Sequence, residues 1–415
     1  MKLREDANKI IDEIIKENLP DTAVKKALES HEVTTDNVYL IAIGKAAYTM
    51  ARAAAEFLGD RLKKGIVVTK YNHAGPPIDG TQIYEAGHPI ADENSILATE
   101  KCIELASNLT SKDELIFLVS GGGSALFEKP QADISLEDII NITDQLLKSG
   151  ADIVEINMLR KRFSEVKAGR FAKIAEPAKI FSIILSDVLE DRLDTIASGP
   201  TVPDISTSED ALTVVSKYGL DIDKNIMEKL KTETPKAITN VETVITGSVK
   251  TLISAAESSA QKLGYTPYIL TSALNCEAKE AGRFLASIAN DTLRGDNSFK
   301  RPCAIIAGGE TVVTVTGAGK GGRNQEMALS FAGSVSAGAS VLFFSLGSDG
   351  TDGPTDAAGG IVTGETSILL KEEGLTVSTV LKNNDSYNAL DKVDALIKTG
   401  PTGTNVNDVS VILIE

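Results

Sequence analysis

The chain has no tryptophan, three cysteines and three histidines in 415 residues, and aromatic residues make up 5% of it. Cys102, Cys276 and Cys303 stand far apart, with no CxxC pair and no histidine nearby. A zinc or disulfide framework is therefore not expected, and a reducing compartment fits. His31, His73 and His88 are too scattered to form a metal site of their own. No apolar run approaches the roughly 20 residues that a membrane helix needs. The opening MKLREDANKIIDEIIKEN reads as an amphipathic helix without the apolar centre of a signal peptide. Positive charge is also short: 42 Lys and Arg against 58 Asp and Glu leave a formal net charge of −16. Such a field repels nucleic acid and anionic membranes. The expectation is a soluble, cytoplasmic protein with a small-molecule partner, no nucleic acid and no membrane, a homo-oligomer being left open. An anionic ligand would have to be captured locally, by the few clustered cations and by backbone N–H groups.

What is present is a repeating pattern of short apolar run, glycine turn and helix. After a helical start, apolar runs stand at 38–43, 65–69, 115–119, 180–185, 243–245, 268–270, 304–307 and 341–345. They are β-branched and nearly all apolar, as strands covered on both faces are. Helical segments at 46–57, 94–106, 136–149, 249–263, 278–292 and 324–332 separate them. Alternation over the whole length predicts α/β sheets covered by helices on both sides. Added strands at 311–316 and 410–414 would make the second sheet mixed. Residues 220–240 are Lys- and Glu-rich and lack a strong apolar stripe, so the domain boundary is expected there, giving 1–235 and 236–415. In open α/β sheets ligands lie beyond the carboxyl ends of the strands, where several of these runs end in unusual chemistry.

Gly44-Lys45-Ala46 follows the first run and opens a helix, where N–H groups and the helix dipole favour an anion. It lacks the spacing of a Walker A loop, and a solvated lysine is the plainer alternative. Ser120-Gly121-Gly122-Gly123-Ser124 offers a backbone nest suited to nucleotide phosphates; a simple strand-to-helix turn is its plainer alternative. Asn157, Arg160, Ser164 and Lys167 recur at i, i+3, i+7 and i+10, one stripe of a helix, which is either an anion-facing wall or a solvated face. Asp187 directly follows the 180–185 run, where a carboxylate can be held rigidly as a metal ligand or base. In the C-terminal half, Gly308-Gly-Glu310 and Gly317-Ala-Gly-Lys-Gly-Gly-Arg323-Asn324 combine glycine turns with an arginine at a helix start. Arg forks phosphates and carboxylates and stays charged. Ser348-Asp349-Gly-Thr-Asp352-Gly-Pro-Thr-Asp356 follows, and Mg²⁺ or nucleotide contacts suit it better than Ca²⁺. Together these are the parts of a phosphoryl-transfer site.

At these residues the chain resembles the glycerate kinase family whose C-terminal half carries a MOFRL domain, some members of which are called hydroxypyruvate reductases. The resemblance spans nearly the whole chain. It rests on Gly44-Lys45-Ala46, the 120–124 loop, Ile-Ala-Ser-Gly-Pro-Thr at 196–201, residues 319–326, residues 349–360 and Gly-Pro-Thr-Gly-Thr-Asn-Val-Asn407-Asp408. It implies two dissimilar three-layer α/β/α domains, an N-terminal Rossmann-like parallel sheet and a C-terminal mixed sheet, with the active site in the interdomain cleft. It implies ATP- and Mg²⁺-dependent phosphorylation of D-glycerate, usually on the 2-hydroxyl. The family's active-site lysine falls on Lys45 and its arginine on Arg323. Departures are local: Lys167-Ala168-Gly169 replaces Lys-Gly-Gly, Glu190-Asp191 replaces Gly-Asp, and Arg162 stands where a histidine is common.

Taken together, Lys45, Arg323 and Asp187 are expected in catalysis, and Lys45, Arg160, Ser164, Lys167 and Arg323 in holding substrate. Ser120, Gly121, Gly122, Gly123, Ser124, Glu310 and Asn324 are expected at the nucleotide, and Asp187, Asp349 and Asp352 at the metal. Asp187 and Asp349 compete for the roles of Mg²⁺ ligand and proton acceptor. An NAD(P)-linked hydroxypyruvate reductase would want a GxGxxG turn after the first strand, which Gly44-Lys45-Ala46 does not supply. A non-catalytic nucleotide- or metabolite-binding module would need neither Arg323 nor the aspartates.

Overall fold

Twelve strands are found among the residues that the computed structural model describes, 2–185 and 193–415. The chain divides into two compact units, 23–246 and 1–22 joined with 247–415.

The first unit carries β1 (Val38–Ile43), β2 (Leu62–Lys70), β3 (Thr81–Ala86), β4 (Glu114–Val119), β5 (Lys179–Leu185) and β6 (Val241–Gly247). Their order across the sheet is β3-β2-β1-β4-β5-β6, and the registers from β3 through β5 are parallel. Every residue of β4 is buried, as are Leu40 to Ile43 of β1. These apolar runs are strands because helices cover both of their faces. Chain order reverses between β1 and β4, so the turns leaving these two strands open side by side, the position where α/β sheets bind ligands. Beside the sheet, helices Leu136–Lys148, Ile153–Phe163, Ser208–Tyr218 and Lys224–Leu230 close around a second core that includes Ile142, Leu159, Phe163, Val214 and Leu230.

The second unit carries β7 (Thr266–Leu274), β8 (Cys303–Gly309), β9 (Val341–Gly347), β10 (Gly359–Thr363), β11 (Leu396–Ile397) and β12 (Asp408–Ile414), in the order β11-β10-β9-β12-β8-β7. Only β7 and β8 pair in parallel; the other registers are antiparallel. The sheet is mixed, as expected, and β12 returns from the C-terminus to lie between β8 and β9.

Three features differ from the sequence expectation. The boundary expected after 235 lies further on, because β6 adds to the first sheet and because Ile226 and Leu230 of the charged segment are buried in the helical core. The first helix, Lys2–Glu17, belongs with the second unit. Its Ile10 and Ile14 are fully buried, it packs on helix Val249–Lys262, and Asp6 accepts the Tyr265 hydroxyl at 3.0 Å. Residues 311–316 do not form a strand. β8 already has β12 and β7 as neighbours, so the segment makes one isolated bridge, Val312 to Glu277, and leaves Val312 and Val315 exposed. No described helix is long and apolar enough to cross a membrane.

Candidate active site

In the first unit the turns after β1 and β4 are tied together. Lys45 N–H donates to the Gly121 carbonyl at 2.9 Å, and Ala46 N–H donates to Ser120 Oγ at 3.1 Å. Ser120 thus caps, from another strand, the start of helix Ala47–Leu58. Phe127, just past the loop, is wholly buried against Phe117 and Phe171, with ring centroids 5.1 to 5.9 Å away. That packing fixes where the loop re-enters the core. Among the described residues, the N–H groups of Gly121 and Gly122 find no acceptor. Both residues are partly exposed, so this is a surface with donors to spare.

Gly122 has φ +88°, and a Cβ there would lie 2.9 Å from the His88 ring and 3.2 Å from Lys45 Cγ. Only glycine fits, for conformation and for space. The Lys45 ammonium has no hydrogen-bond or ion-pair partner among the described residues. Ser124 Oγ lies 3.1 Å from Ser198 Oγ, which brings the 196–201 segment to the same loop. Ala168 (φ +55°), Ala197 (φ +49°) and Ser198 (φ +61°) are all left-handed and adjoin one another, Ala168 N–H donating to the Ser198 carbonyl at 3.1 Å. Left-handed backbone at non-glycine residues is costly and concentrates at functional sites.

The Asn157-to-Lys167 stripe does not exist as one helix face. The helix ends at Phe163, with Ser164 extended at its C-cap. Ser164 and Lys167 are fully buried. Lys167 is ion-paired with buried Glu128 and donates to the Ser124 carbonyl at 2.8 Å. Burial pulls its ammonium down and Glu128 holds it up. Its charge supports the loop from beneath rather than facing outward. Arg160 is partly exposed, and its Nε is buried without a partner. Arg162 is wholly buried and donates to the carbonyls of Thr232 and Ser206, both at 2.9 Å. Asp187, expected in catalysis and at the metal, lies outside the described residues.

In the second unit Arg323 opens helix Arg323–Ser334 and is gripped on two sides. Nε and Nη2 donate to Asp408 at 2.6 and 3.1 Å, and Nη1 donates to Glu310 at 2.8 Å. Although burial works against the charge, these carboxylates hold the guanidinium above its ordinary value. Three of its five N–H donors are used, which leaves two for a ligand. Asn407 donates to the other Glu310 oxygen at 3.1 Å, so Glu310 serves here as a brace. A cavity of about 650 Å³ opens beside Arg323, lined in part by Thr311, Gly322, Asp349 and Asp352.

Two residues of this half are occupied internally. Asp352 accepts the N–H groups of Asn324 (3.1 Å) and Gln325 (2.8 Å) and so caps the Arg323 helix. Burial pushes its carboxyl up to about 7, against the pull of those donors. Asn324 is 1% exposed, and its side-chain oxygen accepts the Ser345 hydroxyl at 2.5 Å. Asp349 is partly exposed in the cavity and accepts Thr351 N–H through one oxygen at 2.9 Å. Among the described residues no three His, Cys, Asp or Glu side chains are grouped to hold a metal ion.

Residues 6–231 match a domain of unknown function, DUF4147, and residues 303–408 match the MOFRL family. The D-glycerate 2-kinase of Thermotoga maritima is 52% identical across 99% of each chain. The glycerate 2-kinase of Pyrococcus horikoshii is 41% identical, covering 100% of this chain and 98% of that one. The crystal structure of a Thermotoga maritima glycerate kinase superposes with a TM-score of 0.97, at 52% identity over the whole of both chains. The chain belongs to the glycerate kinase family with a C-terminal MOFRL domain.

Within this glycerate kinase frame, the sequence did not show which residues brace others. Asp408 stands 85 residues after Arg323; it ends the Gly-Pro-Thr-Gly-Thr-Asn-Val-Asn-Asp motif, and nothing local ties it to Arg323. Glu128 carries no local signal at all, since its partner Lys167 is brought to it by the fold. The departure at Ala168 has a structural consequence: the position is left-handed, where the glycine common in this family would sit without strain.

Proposed function

We propose that the chain is an ATP-dependent kinase that phosphorylates D-glycerate, on the 2-hydroxyl, to give 2-phosphoglycerate and ADP. The observation that carries this reading is the pair of open N–H groups at Gly121 and Gly122, beside the unpartnered Lys45 and at the reversal point of the first sheet. It stands in a chain 52% identical, over nearly its full length, to a D-glycerate 2-kinase.

In this reading the 120–124 loop receives nucleotide phosphates through backbone donors. Lys45 and Arg323 act on the glycerate carboxylate and the transferring phosphoryl group. Arg323 stays charged and is oriented in advance by Asp408 and Glu310, so little reorganisation is needed as charge develops. Phosphoryl transfer to an alcohol asks mainly for positioning and charge neutralisation. Lys167 contributes by holding the Ser124 carbonyl. Mg²⁺ is commonly held by one or two carboxylates together with phosphate oxygens and water. One carboxylate free to face a cavity fits that mode, and Asp349 is a described residue that offers it. The ion would neutralise phosphate charge. Asp352, engaged by two backbone donors, is left to its capping role.

The test is to incubate the protein with ATP, Mg²⁺ and D-glycerate, and in parallel with NADH and hydroxypyruvate, and to identify the products. ADP with 2-phosphoglycerate supports the proposal, and 3-phosphoglycerate corrects the position. NADH oxidation with hydroxypyruvate, or binding without turnover, sinks it.

A further inference from the structure

Three histidines occur in the chain, and two are occupied. His31 stacks on Phe181 with ring centroids 3.7 Å apart, and its Nε2 lies 2.5 Å from Glu114. His73 turns its Nδ1 to the Tyr71 carbonyl at 3.3 Å. His88 differs. It is partly exposed, and neither ring nitrogen has a hydrogen-bond partner among the described residues. Its ring edge, Cδ2 and Nε2, lies about where a Gly122 side chain would begin, next to the Lys45 stem.

An imidazole is the one side chain at this loop, among the described residues, that can take up a proton near neutrality. Lys45 is a donor, and Ser120, Ser124 and Ser198 are not bases. Its partners are withheld on one side and a glycine nest with open N–H groups lies on the other.

We propose that His88 is a catalytic residue that takes the proton from the acceptor hydroxyl during phosphoryl transfer. This rests on the kinase reading above and names the proton acceptor for that site. The substrate oxygen forms a bond to the γ-phosphorus as the bond from that phosphorus to the bridging oxygen breaks. The bridging electron pair leaves with ADP, and the hydroxyl proton passes to Nε2 of His88 and then to water. The groups facing the ring suit the task. Burial first, and then Lys45, Lys70 and His73, depress its protonation below the ordinary histidine range. Of the described carboxylates nearby in sequence, Asp92 accepts from Tyr71 at 2.6 Å and Ser95 at 2.9 Å, and Glu85 accepts the N–H groups of His73 and Ala74. The ring is therefore neutral and able to accept at pH 7.

The experiment compares wild type with His88→Gln and His88→Asn, using ATP, Mg²⁺ and D-glycerate from pH 5 to 9, with thermal melts of each. For wild type, kcat/KM should fall on the acid side as His88 protonates. In both variants kcat should drop at least about tenfold, with KM for ATP within about twofold and the acid limb gone. Variants that keep wild-type kcat and the acid limb overturn the proposal, as does a loss confined to KM. Should both variants melt early, a wild-type profile with no acid limb overturns it alone. Absence of any phosphoglycerate from wild type is a different result: it removes the kinase reading itself.

Discussion

The two glycine-rich loops look alike in sequence and differ in what surrounds their glycines. In the 120–124 loop, Gly121 and Gly122 keep their N–H groups open, and Gly122 is glycine because His88 and Lys45 crowd it. Through Lys320 the donors of the 317–322 loop are consumed, while the N–H groups of Gly321 and Gly322, just before the Arg323 helix, find no acceptor among the described residues. The N–H groups of Thr316 and Gly317 go to Asn384, those of Ala318 and Gly319 to Asn383, and that of Lys320 to Asp385. A Cβ on Gly319 would lie 2.5 Å from the Asn383 carbonyl oxygen. Gly122 in the first loop is crowded by side chains, whereas Gly317 and Gly319 in the second pack against backbone and its two open donors stand at its end, beside Arg323. The function of the second loop is to deliver Arg323 to the mouth of a cavity. Glycine content alone therefore says little about anion binding, and the count of unspent donors says more.

The comparison can be broken most directly at the two cations. Arg323→Ala and Lys45→Ala should each lower kcat/KM for glycerate by about 100-fold, as lost charge-stabilising donors do. Steady-state kinetics check this, and near-normal activity in both would remove the site assignment. The glycines sharpen the contrast. Gly122→Ala should cut activity by roughly tenfold or more and, because φ +88° strains an alanine, lower stability by about 1 kcal/mol. Gly319→Ala should act on stability first, destabilising the second unit by about 1–3 kcal/mol through a backbone clash while activity falls less. Equal effects of the two on activity and melting would dissolve the distinction between the loops.

A pH effect should follow from the Asp352 cap. Its folded-state pKa of about 7 lies above the ordinary 3.8, so the folded state binds this proton more tightly than the unfolded chain. Stability is then lost as pH rises between those values, on the order of 4 kcal/mol, and is level above the upper one. Denaturation midpoints of wild type should decline across pH 4–7, whereas those of Asp352→Asn should lack that component. The smallest effect expected is a gain. Ala168→Gly relieves a left-handed alanine and should stabilise by about 0.5–1 kcal/mol, read as a rise in melting temperature with kcat unchanged.

Much of the fold was legible because buried parallel strands announce themselves. The runs at 38–43, 115–119 and 304–307 are apolar throughout, and each lies within a strand. β3, with Gln82 and Glu85 on a half-exposed edge, and β10, beginning Gly-Gly, carry no such signal. The 311–316 run shows the opposite failure. β-branched residues favour a strand only where they can pair, and β8, which leads into this segment, already has partners on both sides. The site was legible at its glycines and at Lys45 and Arg323, since loops after strands are where α/β folds bind ligands. The pairing of Asp408 with Arg323 was not, because a salt bridge across 85 residues leaves no periodicity to read.

The sequence by itself determined the α/β alternation, the acidic character and the places where chemistry is concentrated, since each depends on residues close together in the chain. Tertiary structure decided which of those residues are spent. It buried Lys167 against Glu128, gave Asp352 to a helix start, joined the first helix to a unit that begins some 225 residues later, and left the Lys45 ammonium, the His88 ring and the N–H groups of Gly121 and Gly122 without partners among the described residues. Whether a polar group is satisfied depends on what the fold brings within about 3 Å of it, and local sequence carries no record of that distance.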